Sequence, residues 1–227
     1  MRIAAAILVA VVPSFAILYN VDQPVPISLA HGEYFTSVRL WGSGGVMARL
    51  AVGLFNRLTL GMSYGGDSII GSARPAFFDR YRPDFQARLA ILEEQGHIPN
   101  LVLGYETQGY DGCVNKEYQV REKGGYLCVG KTIDASRTFC QLGVNYWQGT
   151  DGFLAVNQLF PGNVEAIVEY DPALNQHIEH NKGFLNFGLA WTFNEKLRLA
   201  AALRDILRNR PETKLDRVLE LSINEHF

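Results

Sequence analysis

From Glu33 to Phe227 the chain breaks into short segments in which apolar residues alternate with polar or small ones. The clearest covers 183–193, where Leu185, Phe187, Leu189, Trp191 and Phe193 share one face and Asn186, Gly188, Ala190 and Thr192 the other. A period of two places successive side chains on opposite faces of a β-strand. After a turn at Asn194-Glu195-Lys196, Leu197, Leu199, Ala201 and Leu203 alternate with Arg198, Ala200, Ala202 and Arg204. Leu58, Leu60, Met62 and Tyr64 oppose Thr59, Gly61 and Ser63 in the same way, and Leu101, Leu103 and Tyr105 oppose Val102, Gly104 and Glu106.

The pattern predicts strands at 34–42, 46–54, 58–66, 84–92, 100–109, 125–132, 138–148, 152–160, 164–170, 183–193, 197–207 and 214–227. An even number of tilted strands of this length is what a bacterial transmembrane barrel requires. The predicted fold class is therefore all-β, a transmembrane antiparallel up-and-down β-barrel of about twelve strands. A surface helix over 84–95, carrying Arg88, Glu93 and Glu94, is the competing reading of one segment.

Connection lengths sort with this topology. Phe55-Asn56-Arg57, 93–99, 133–137, Pro161-Gly162-Asn163 and Asn194-Glu195-Lys196 are short, as periplasmic turns are, whereas 67–83, 110–124 and 171–182 fall on the opposite side. Pro75, Pro83, Pro99, Pro161, Pro172 and Pro211 all lie between strands, where no ladder donor is lost. Aromatic girdles are expected from Tyr34, Phe55, Phe139, Phe160, Phe193 and Phe227 on the periplasmic side. Trp41, Tyr64, Phe85, Tyr146, Trp147, Tyr170 and Phe184 would form the outer one.

Ahead of the strands, Arg2, the apolar run Ile3–Val12 and Ser14-Phe15-Ala16 have the form of an export signal, with Ser28-Leu29-Ala30 as a second small-x-small site. The expected organisation is a leader and short N-terminal segment over 1–30, cleaved after Ala16 or Ala30, and one barrel over 31–227. Beyond the leader no apolar run approaches the roughly 18 residues of a membrane-spanning helix. With 227 residues and a net charge of −2, the chain forms one domain and lacks the basic excess of a nucleic-acid binder.

A soluble barrel also alternates, so the polar face has to decide. Here it is largely Gly, Ala, Ser, Thr and Asn, with Arg as the main cation, and of the lysines only Lys131 lies well inside a strand. Such a face suits a narrow enclosed lumen and leaves the apolar face for lipid. Arg39, Arg49, Arg88, Glu106, Glu165, Glu169, Arg198, Arg204, Arg208, Asp216 and Glu220 are expected to point inward. They form either a conduit whose charges select solutes or a set of ion pairs filling the barrel, and the near balance of signs favours the pairs. At the C-terminus, Leu219, Leu221, Ile223 and the terminal Phe227 fit the pattern read by the outer-membrane insertion machinery, although Glu225 on that face does not.

Other chemistry is sparse. His177-x-x-His180 with Asp171 and Glu179 matches no standard metal-site spacing, so no metal and no cofactor are expected. His97 and His226 have no evident nucleophile partner, so no hydrolase site is expected. Cys113, Cys128 and Cys140 leave at least one thiol unpaired, and a Cys113–Cys128 link is one possibility.

Gly66-Asp67-Ser68-Ile69-Ile70-Gly71-Ser72, Asn100-Leu101-Val102-Leu103-Gly104-Tyr105-Glu106-Thr107-Gln108-Gly109-Tyr110, Gly124–Lys131, Val164–Asp171, Leu203-Arg204-Asp205 and Val218-Leu219-Glu220-Leu221 resemble strands of the YjbH-like, exopolysaccharide-associated outer-membrane barrel proteins. The resemblance spans 57–227, implies a role beside surface-polysaccharide export, and brings no catalytic residues. The sequence therefore leads to a non-enzymatic barrel in the outer membrane of a Gram-negative bacterium, acting as a small channel or an envelope scaffold. Its expected partners are outer-membrane lipid, the assembly machinery and polysaccharide-export proteins, with no nucleic acid. An outer-membrane enzyme acting on lipid or glycan and a soluble periplasmic β-protein are the rival readings.

Overall fold

In the computed structural model, residues 17–71, 76–77, 83–107, 123–209 and 215–227 are described. The export signal up to Ala16 and Cys113 lie outside them. The strands are β1 (Glu33–Trp41), β2 (Gly45–Leu54), β3 (Leu58–Asp67), β4 (Ala76–Phe77), β5 (Asp84–Leu92), β6 (Asn100–Glu106), β7 (Gly124–Ile133), β8 (Thr138–Tyr146), β9 (Thr150–Phe160), β10 (Val164–Asp171), β11 (Phe184–Phe193), β12 (Leu197–Arg204) and β13 (Asp216–His226). A single 3-10 turn, Gly42–Gly44, joins the first two.

Chain neighbours pair antiparallel around the sheet, and β1 pairs with β13 from Glu33↔His226 to Trp41↔Val218. That last pairing closes the wall and removes every edge. The two-residue β4 only lies against the end of β3, which pairs onward with β5, so twelve strands form the closed barrel.

The short connections gather at one end, hereafter the turn end. Phe55 and Asn56 both have positive φ (55° and 59°), as do Asn194 and Glu195 (48° and 58°). Two successive left-handed residues make the turn whose twist matches paired strands. The longer connections share the other end, the loop end.

The strand expected at 84–92 forms as β5, which pairs with both β3 and β6 and slips register between Ala90 and Leu92, so the competing helix is absent there. Other expectations require correction. Strand β12 ends at Arg204 because Asp205 turns left-handed (φ 52°) and its carboxylate accepts the Asn209 N–H at 2.7 Å. Arg208 is thereby exposed rather than lumenal. Phe184 faces inward and is buried against Met47, with Trp41 packed on the same cluster, and Phe139 lies beside Pro26 over the inward Gly130, so none of the three belongs to a girdle.

The alternation is otherwise expressed as two unlike faces. Leu50, Leu60, Met62, Leu103, Leu127, Leu142, Val144, Leu154, Val168, Leu189 and Trp191 stand exposed on the outer surface. A continuous apolar exterior of this kind is unfavourable in water and suited to hydrocarbon. Leu219, Leu221, Ile223 and Phe227 belong to it. Glu225, the exception in that row, pairs with Lys196 at 2.7 Å near the turn end.

Candidate functional site

The lumen is occupied by the chain itself. Residues 17–30 enter from the turn end, where the His31 N–H donates to Asn56 Oδ1 at 2.8 Å and the Gly32 N–H to the Gly53 carbonyl at 3.1 Å. They fold into a hairpin, with a bridge between Tyr19 and Pro24 and the Val25 N–H donating to the Leu18 carbonyl at 3.0 Å.

Its apolar residues pack on inward-facing wall residues. Leu18, Tyr19 and Leu29 meet Phe35 and Ala51, and Val21 meets Ile167 and Ala190. Wall glycines leave the room: a Cβ on Gly53 would stand 1.9 Å from the Ala30 carbonyl oxygen, and one on Gly130 2.6 Å from the Pro26 ring. The cleft between hairpin and wall is therefore set by backbone approach as well as by side chains.

The hairpin is also held by charge. Two guanidinium groups lie over the Tyr19 ring, Arg49 at 4.3 Å and Arg88 at 4.5 Å from its centre, and the hydroxyl donates to Gln86 Oε1 at 2.8 Å. A cation facing an aromatic ring is attracted by the ring quadrupole. Arg88 also donates to the Leu18 and Val25 carbonyls at 2.5 and 3.3 Å.

At the hairpin tip the Asp22 carboxylate meets Arg39 and Arg204, and Arg39 donates to the Val21 carbonyl at 2.5 Å. The N–H groups of Val21, Asp22 and Gln23 donate to the Glu169 carboxylate at 2.8–3.2 Å, joined by Asn186 Nδ2 at 2.6 Å.

Ten wall charges singled out in the sequence lie inside the barrel, and each has an opposite partner or hydrogen bonds. Arg204 pairs with Asp216, and Arg39 and Arg49 share Glu220 at 3.6 and 3.2 Å. Arg198 pairs with Glu165 at 2.8 Å, and Arg88 lies 3.9 Å from Glu106. Glu169 receives the N–H groups of the hairpin tip. Unpaired charges in so enclosed a space would be costly, which accounts for the near balance of sign.

Sequence reasoning missed the other half of this arrangement: Tyr19, Asp22, Gln23, Gln86, Asn186 and Lys123. Lys123, assigned to a loop, folds inward and donates to Asp171 at 2.9 Å, and Gln23 Nε2 donates to the same carboxylate at 3.0 Å. The connection after β10 closes over the loop end, with Ala173 buried against Met47 and Phe184. It is tied down by the Leu174 N–H donating to Asp151 at 3.1 Å and by Asn175 Nδ2 donating to the Trp147 carbonyl at 3.2 Å. In that connection Glu179 and His180 are exposed, 3.8 Å apart. His97 and His226 are exposed at the turn end. Cys128 is a buried free thiol and Cys140 a half-buried one.

No protein-family model and no curated protein matches the chain. Solved structures do. The chain is similar to the KdgM porin, with a TM-score of 0.53 and 7% sequence identity over 86% of this chain and 99% of that one. The KdgM porin in complex with disordered oligogalacturonate gives the same TM-score at 8% identity, with the same coverage. At such identity the likeness establishes the closed twelve-stranded antiparallel barrel and nothing finer. The hairpin, the charged wall around it and the folded-in connection are read from this chain alone.

Proposed function

We propose that this protein is a non-enzymatic barrel of the Gram-negative outer membrane and that it works as a channel closed at rest by its own residues 17–30. The observation that carries the reading is the way the hairpin is fastened. Beside its apolar contacts it is held by guanidinium, carboxylate and amide groups on a polar wall. Water or a solute can satisfy those groups once the hairpin leaves, so displacement exposes a wettable path and no greasy cavity. The apolar exterior supports the membrane setting, and the resemblance to YjbH-like barrels supports a place beside surface polysaccharide.

An envelope scaffold is the second reading, favoured by the connection folded over the loop end. Purified full-length protein in planar bilayers separates the two. The channel reading expects rare discrete openings that become frequent when contacts of residues 17–30 are weakened. Silence from both the wild type and such variants leaves the scaffold. Heat-modifiable gel migration together with carbonate-resistant membrane association is expected in either case, and a detergent-free soluble monomer would overturn both.

A further inference from the structure

The tip of the hairpin fills a site lined by wall residues from four strands. Arg39 on β1 and Arg204 on β12 flank β13, whose Glu220 and Asp216 hold the two guanidinium groups in place. The Asp22 carboxylate sits in front of that pair, completely buried. On the β10–β11 side of the same spot stand Glu169 and Asn186, and the Asp22 N–H donates to Glu169 at 2.8 Å. Wall partners hold part of each half: Arg204 Nε donates to Asp216 at 2.7 Å, and Asn186, whose Oδ1 accepts the Asp205 N–H at 2.9 Å, donates through Nδ2 to Glu169 at 2.6 Å. The hairpin supplies the rest, with Arg39 donating to the Val21 carbonyl and to Asp22, and Glu169 accepting the N–H groups of the tip.

Such a site has a cationic half in Arg39 and Arg204 and an acceptor in Glu169, while Asn186 Nδ2 donates to the Asp22 carboxylate at 3.2 Å as well as to Glu169. Guanidinium forks match carboxylates, and a buried carboxylate such as Glu169 demands N–H or O–H donors. The occupant must therefore present a carboxylate flanked by donors, as Asp22 and its neighbouring amides do. A uronic sugar, with hydroxyls beside its carboxylate, has that chemistry, and so does an acidic amino-acid derivative.

We propose that Arg39, Arg204, Glu169 and Asn186 form a lumenal binding site for a solute carrying a carboxylate beside hydrogen-bond donors. Asp22 occupies this site as an internal competitor. The proposal rests on the closed-channel reading only for its route of access; the site itself is testable by binding.

The test is calorimetric titration of the full chain in detergent, comparing wild type with Asp22→Asn. The probes are glucuronate, N-acetylaspartate amide, acetate and glucose. Removing the competing charge is expected to tighten binding of at least one of the first two probes by about tenfold, since a mostly occupied site lowers apparent affinity by the fraction left free. Acetate lacks the donors and glucose the carboxylate, so both bind at least about tenfold more weakly than the preferred probe. Whichever of glucuronate and N-acetylaspartate amide binds more tightly identifies a sugar or a peptide source. Arg204→Lys in the Asp22→Asn background keeps the charge but removes the fork, and is expected to lose most of the gain.

Equal binding to wild type and Asp22→Asn, equal binding of glucose, or indifference to Arg204→Lys overturns the site. Bilayer recordings on the same samples keep the two readings apart. Binding without conductance in any variant removes the channel and leaves the site, whereas conductance without carboxylate-dependent binding or block does the reverse.

Discussion

Tyr19 of the internal hairpin lies with its ring 4.5 Å from the Arg88 guanidinium of β5, and the carbonyls on either side of the hairpin, Leu18 and Val25, accept from that same arginine. One wall residue thus grips the hairpin by ring and by backbone. Arg49 also lies over the ring, at 4.3 Å.

Tyr19→Leu keeps an apolar side chain but loses both cation–ring contacts and the hydrogen bond to Gln86. Cation–π contacts are worth roughly 0.5–2 kcal/mol each, more when desolvated. The frequency of single-channel openings is expected to rise by about ten- to a hundredfold. Tyr19→Phe keeps the ring and should stay close to wild type. Equal opening frequencies for the two variants would show that the ring contacts do not hold the hairpin.

A covalent tether tests the same hairpin without weakening it. A Cβ on Gly188 would stand 3.2 Å from Val21 Cγ2, so Val21→Cys with Gly188→Cys brings two thiols within bridging range. Oxidation is expected to form the bond, seen as a mass loss and altered gel migration, and to abolish openings; reductant restores them. If no bond forms under oxidant, residues 17–30 do not occupy the lumen.

The wall was legible because lipid outside and polar lumen inside impose opposite demands on successive residues. The period of two survives even where side chains are as different as Trp191 and Ala190. Arg39, Glu169 and Arg204, each on the polar face of its strand, lie buried inside the wall. The hairpin was not legible, because Leu18, Val21, Val25 and Leu29 recur at helix-like intervals of three and four residues, are interrupted by Pro24 and Pro26, and adjoin a leader of similar hydropathy. Ser28-Leu29-Ala30 looks like a processing site, yet its Leu29 N–H and Ser28 hydroxyl meet Thr59 Oγ1 at 2.8 and 3.0 Å. Only the three-dimensional closure reveals that a polar wall rich in arginine awaits a short segment carrying Asp22. Phe184 was misplaced for a related reason: a strand-end aromatic suits an interfacial girdle, and only its contact with Met47 shows that it faces in.

Inward and outward apolar residues are expected to differ in what they contribute. Phe153 is buried against Ala90, Val102, Tyr126 and Cys128, and its ring covers Gly143, where a Cβ would stand 2.1 Å away. Phe153→Ala leaves a cavity and should cost about 3–5 kcal/mol. Leu142, on the neighbouring outward position, faces lipid or detergent, which refills the space. Leu142→Ala is therefore expected to cost well under half as much, read by denaturant unfolding in detergent. Equal costs would mean that the lumen side is not packed.

The turn after β5 supplies a pH-dependent clamp outside the spanning strands. Glu94 accepts from Lys131 Nζ at 2.7 Å, from the Thr132 N–H at 2.9 Å and from the Thr132 hydroxyl at 2.9 Å. Partial burial raises its pKa, but these donors outweigh it and hold the carboxyl below its ordinary value of 4.5. A carboxylate with a depressed folded pKa contributes its full stabilisation above the unfolded value and loses it as pH falls through the folded one. Exchange of the Thr132 amide, corrected for its intrinsic rate, is therefore expected to be slow and flat from pH 7 down to about pH 5 and to accelerate progressively below about pH 4. Glu94→Gln has no charge to lose, so its Thr132 amide should exchange faster than wild type at pH 7 and show no acceleration below pH 4. Wild-type protection that stays level down to pH 3 would mean that Glu94 does not anchor this turn to β7.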